Sequence, residues 1–148
     1  MAFPPDYLFP IDERAFKIGM IYAFTEAVAS GCKPLSFSPP LAPGEYTQVL
    51  KAALLIAEEY GIVAEGEDET IETLLFNPAF TRGKKLVLMG ATPDVLDSYH
   101  ALKSRAHTAA RLADSERQAE EIDIARQLGS LLGYSDGAIE GLLRKPRF

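Results

Sequence analysis

The sequence predicts an α/β domain: a small, mostly parallel sheet of about three or four strands covered by about five helices, with a mainly α fold around a minimal sheet as the alternative. Three observations carry this expectation. Residues 86–89, Leu-Val-Leu-Met, form a continuous apolar run of the kind that fills a strand buried on both faces. A strand pattern, a helix pattern and a second strand pattern follow one another over residues 33–64, the order of a crossover that pairs strands in parallel. Helix-start signals then recur through the last third of the chain. A length of 148 residues fits one domain, with residues 1–10 as an extended N-terminal arm.

The arm holds three prolines, which exclude regular helix, and Phe3, Tyr7, Leu8 and Phe9 suit it to pack on the body or on another subunit. A first helix is expected over 12–30, with Asp12 and Glu13 at the positive end of its dipole and Gly31 just past its end. Apolar residues surround this helix instead of forming one stripe, so it should be buried on most sides, in a core or a dimer interface. Residues 33–38 read as a strand stopped by Pro39 and Pro40, which cannot donate to a ladder.

The second helix spans 43–60, with Pro43 at its first position, a stripe of Val49, Ala52, Ala53, Ile56 and Tyr60, and Gly61 as its stop. Residues 62–64 are the second strand, followed by an acidic loop. Residues 71–76 read equally as strand or helical turn. After the strand at 84–89, Thr92-Pro93-Asp94 opens a helix as cap, first position and first-turn acid. Ser115 and Gln118 have the spacing of a capping box for the next helix, and Ser135 caps a short last one.

The formal net charge is −6, and residues 61–80 carry five acids without one base. Phosphate recognition needs a basic face, so no nucleic-acid partner is expected. A single cysteine, Cys32, excludes an internal disulfide. It follows a helix C-terminus, whose negative dipole disfavours a reactive thiolate. The N-terminus lacks the pattern of a secretory signal, and the most apolar stretch, 15–29, is too short and too charged to span a membrane, so a cytoplasmic protein is expected. No cofactor or metal is expected: Gly90 stands alone where a phosphate loop needs several glycines. His100 and His107, seven residues apart on one helix, are too far apart to share a zinc ion.

The remaining candidate is geometric. Open parallel sheets bind ligands beyond the carboxyl ends of their strands. One such end would carry Ser36, Ser38 and the following helix start near Tyr46. The other would carry Thr92, with His100 and Lys103 on the bordering helix face. Together these six would bind a small polar or anionic ligand, and no catalytic residue is assigned. The plainer reading makes Ser38 a loop residue, Thr92 a cap and His100 with Lys103 part of a solvated face. Glu26, in a nearly all-apolar helix, lies either on that helix's one wet edge, the commoner place for a carboxylate, or buried with a partner. Two functions follow: a small-molecule-binding domain, or a non-enzymatic homo-oligomeric interaction or scaffold protein, and the two are compatible in a symmetric dimer.

Overall fold

The protein is described from a computed structural model over residues 9–146. The expected arm falls almost wholly outside these residues, and of it only Phe9 and Pro10 are described. The elements are α1 (Glu13–Ala29), β1 (Leu35–Phe37), α2 (Pro43–Tyr60), β2 (Val63–Glu67), α3 (Pro78–Thr81), β3 (Leu86–Gly90), α4 (Pro93–Ala109), α5 (Asp114–Leu131) and α6 (Asp136–Arg144). About 60% is helical.

Most helix limits follow from local chemistry. The Asp12 side chain accepts from the Ala15 N–H at 3.0 Å and caps α1. Pro43 starts α2, and the Glu45 carboxylate reaches back to the Ala42 N–H at 3.2 Å, which is half of a capping box. Gly61 ends α2 in the left-handed conformation at φ 70°. The Ser135 hydroxyl accepts from the Ala138 N–H and caps α6. One cap falls elsewhere: α5 starts two residues early, behind Ala113 instead of Ser115, so Ser115 and Gln118 lie inside the helix and form no capping box.

The sheet corrects the expected fold. Its order is β1-β3-β2, and β3 runs antiparallel to both neighbours, with Leu35 opposite Gly90 on one side and Val63 opposite Gly90 on the other. The crossover through α2 does give β1 and β2 the same direction. They are not adjacent, because β3 fills the slot between them, as in a split β-α-β unit. The physical reason lies in the link from Glu67 to Leu86. It contains only the four-residue α3, no helix long enough to return the chain for a parallel pairing. Residues 71–76 are neither strand nor helix, but a turn that buries Ile71 and Leu75. β2 also runs on to Glu67, into residues read as loop.

The sheet separates two cores. Leu35, Leu86 and Leu88 pack with α4, α5 and α6 around Tyr99, Leu102, Leu128 and Ile139. Val87 and Met89, on the other face, pack with Ile21 of α1 and with Val49, Ala53 and Ile56 of α2. All five β3 residues are buried, as the continuous apolar run predicted. α1 is not the central helix that the core alternative expected: only Ile21, Thr25 and Val28 are buried within the chain, and Tyr22, Ala23 and Glu26 are exposed. Ile18 and Phe24 pack half-buried against the same core as Ile21. At the junction of the halves, Gly133 adopts φ 79°, and a Cβ there would lie 2.7 Å from the Lys33 Cβ, so the chain closes only over a glycine.

Candidate functional site

Antiparallel pairing disperses the six expected site residues. Ser38 sits beside Val87, near the start of β3, whereas Thr92 lies past its end. The strand between Val87 and Gly90 alone spans about 10 Å. With β3 antiparallel to β1, Ser38 and Thr92 share no strand-end edge.

Four of them have local tasks instead: Ser38, Tyr46, His100 and Lys103. Ser36 is buried opposite Met89, on the α1–α2 side of the sheet. Ser38 is buried, and its N–H donates to the Val87 carbonyl at 2.9 Å. Its hydroxyl accepts from the Val87 N–H at 2.8 Å and donates to the Pro39 carbonyl at 2.9 Å. The side chain thus extends the ladder up to the proline pair, and backbone pairing resumes between Leu41 and Lys85. Ser38→Ala would leave a buried N–H unpaired, and a loss of about 1–3 kcal/mol is expected in urea unfolding.

Tyr46 lies over Gly66 of β2. A Cβ at position 66 would fall 2.0 Å from its hydroxyl, so the glycine makes room for the ring. Lys85 Nζ stands 5.0 Å from the ring centroid. Burial, followed by the nearby Asp68 carboxylate, raises the Tyr46 pKa. Thr92 occupies the N-cap of α4, as its sequence setting predicted, but its side chain makes no capping hydrogen bond.

His100 and Lys103 do come together, on the α4 side of β2 and therefore across the sheet from Tyr46. His100 Nε2 is 2.7 Å from Glu65 Oε1. Lys103 Nζ donates to Glu67 Oε1 at 2.8 Å and to the Glu69 carbonyl at 2.6 Å. β2 turns Val63, Glu65 and Glu67 toward α4, so its outer strand meets the helix through a polar layer. The Glu67 side chain is only 9% exposed and that of Lys103 16%. The acidic stretch is also neutralised by Lys85 on Asp68 and Arg82 on Glu72. A run of acids that looks unbalanced in sequence is wrapped in cations from α4 and the turn before β3.

Tyr99 completes this layer. Its hydroxyl and Glu67 Oε2 are buried, and neither has a partner at hydrogen-bonding geometry among the described residues. Burial first, then the neighbouring Glu67 carboxylate, holds the phenol far above its ordinary value of 10.0. The native state therefore keeps this proton where the unfolded chain loses it. Stability that is complete below about pH 10 should fall as pH rises further. Tyr99→Phe should flatten this alkaline limb, read as the unfolding midpoint between about pH 9 and pH 11.

Two open grooves flank the helices. One, of about 860 Å³, runs along α6 beside Tyr134, Ala138 and Leu142. The other, of about 650 Å³, lies between α4 and α5. Its two cations are already held: Arg105 by Glu120 and Asp123, and Arg126 by Glu140. Cys32 is exposed, with the Ser30 hydroxyl at 3.5 Å. Glu26 is exposed, on the wet edge of its helix. Among the described residues, no group of three or more His, Cys, Asp and Glu could hold a metal ion, and no helix is long and apolar enough to cross a membrane.

The feature missed in the sequence is the outer face of α2. Leu54 is 45% exposed and Leu55 68% exposed, with exposed Thr47, Lys51 and Glu58 on the same side. Successive helical residues turn by about 100°, which places Lys51 and Glu58 almost opposite the buried Val49–Ala53–Ile56 stripe and a leucine on each flank. The signal was present: both leucines fall off the stripe that explains the rest of the helix. Tyr22 of α1, itself 40% exposed, adjoins this face and donates to Glu59 at 2.8 Å. Compared with known protein families, curated proteins and solved structures, the chain matches none.

Proposed function

We propose that this chain is an interaction protein that self-associates through the outer face of α2. One observation carries the reading: two neighbouring leucines, Leu54 and Leu55, stand in solvent on a well-formed helix whose core stripe is complete without them. Single exposed apolar residues are ordinary, but adjacent large ones beside an exposed tyrosine make a patch that association would cover. Of the large apolar side chains of α1, Tyr22 is the exposed one, and its hydrogen bond to Glu59 sets it beside this face. Of the side chains expected to bind a ligand, Ser38 is engaged in the sheet and His100 and Lys103 join α4 to β2.

Sedimentation velocity tests this directly. The weight-average mass should rise from monomer toward dimer between about 1 and 100 µM, and the thermal midpoint should rise with it. Leu55→Glu should hold the chain at monomer mass with an unchanged far-UV spectrum. A monomer mass for the unaltered chain across that whole range would overturn the reading.

A further inference from the structure

Resting on that reading, we infer that the partner is a second copy of this chain and that the two α2 helices pack antiparallel, with Lys51 of each facing the partner subunit's Glu58. The argument starts from the order of residues on the outer face. Lys51 and Glu58 lie seven residues apart, about 10.5 Å along the axis. Leu54 and Leu55 fall midway between them. Both charges are exposed, and neither has an ion pair among the described residues. Glu59, by contrast, is engaged by Tyr22.

A two-fold axis crossing α2 between Leu54 and Leu55 sets each residue against the one equally far on the other side. Lys51 then meets the partner's Glu58, and Leu54 meets the partner's Leu55. The same contacts repeat about the axis, as an isologous interface requires. Two ion pairs close around four leucines. A parallel arrangement with the same centre would instead set Lys51 against the partner's Lys51 and Glu58 against the partner's Glu58. Like charges at such separations repel. The charge pattern therefore selects one orientation, and it makes the face complementary to itself. A chain with a net charge of −6 gains nothing from general attraction between copies, so the local match has to supply it.

Charge reversal tests the orientation apart from the association. Lys51→Glu alone and Glu58→Lys alone each turn both ion pairs into like-charge contacts, and each should raise the dimer dissociation constant roughly tenfold or more. Mixing the two single variants should restore association as a heterodimer, because opposite charges then face each other at both positions. The double variant, with the charges exchanged, should dimerise like the unaltered chain. Sedimentation equilibrium reads all four cases, and far-UV spectra confirm that these surface changes leave the fold intact. If the unaltered chain dimerises and either single variant does so equally well, or the mixture gains nothing, the antiparallel arrangement is overturned while self-association stands. If the unaltered chain is a monomer throughout, both fall together.

Discussion

Replacing Lys103 with methionine should destabilise the protein by about 2–4 kcal/mol, one of the largest effects expected of any charged residue here. Lys103 Nζ is the described partner of Glu67 Oε1 and also donates to the Glu69 carbonyl. Methionine keeps the length of the stem and its packing against α4, but removes the three donors. Glu67 would then hold a carboxylate that is nine-tenths buried with no hydrogen bond to either oxygen among the described residues. Breaking one side of a buried pair costs more than the pair itself contributes, because the remaining charge stays desolvated. The effect sits below the upper range for such pairs because β2 is an outer strand and water lies close.

The control separates pairing from packing. Glu67→Gln in the Lys103→Met background removes the stranded charge, and most of the lost stability should return. Lys103→Met with the same urea midpoint as the unaltered chain would mean that the contact is merely a surface pair. His100 offers the contrast. Its contact with Glu65 has 42% and 44% of the two side chains exposed, so His100→Ala should cost well under about 1 kcal/mol.

The same layer shows what could be read from the sequence and what could not. Helix starts at Asp12, Pro43 and Ser135 were legible because a cap is a contact between residues three apart. The buried character of β3 was legible because a strand covered on both faces has to be apolar throughout. The partners of the acids were not, since Lys85, His100 and Lys103 reach Asp68, Glu65 and Glu67 across 17, 35 and 36 residues. Strand direction lay between these cases. The β1-α2-β2 order fixes that these two strands run alike, but does not make them neighbours. The missing evidence was the lack of any long helix between Glu67 and Leu86, which leaves β3 to turn back between them. That one reversal separates Ser38 from Thr92 and removes the expected pocket. The α2 face is legible too, since Leu54 and Leu55 fall outside the stripe that the helix buries.

Leu88→Ala and Met89→Ala should each cost about 2–5 kcal/mol, and together they should leave the chain unfolded at 25 °C. Both side chains are fully buried, but they enter different cores: Leu88 lies among Tyr99, Leu102 and Leu128, and Met89 among Ile21, Val49 and Ile56. They are covalent neighbours that share no apolar cluster, since a strand sends successive side chains to opposite faces. Their losses should therefore add nearly as those of distant sites do. The sum, about 4–10 kcal/mol, is comparable to the whole stability of a domain this size. The single variants carry the sharper information. β3 is the strand that sends buried apolar side chains into both cores, pairing with β1 and β2 while touching α1, α2 and α4. Damage to either core must reach the other through it. Leu88→Ala and Met89→Ala should each unfold in one transition, at the same urea concentration by near-UV and far-UV signals. Two separated transitions in either variant would show that the α1–α2 half and the α4–α6 half fold independently, with the sheet as a seam between them. Leu55→Ala, at a side chain 68% exposed, should move the monomer's midpoint by less than about 0.5 kcal/mol, which sets the scale against which the two β3 losses are read.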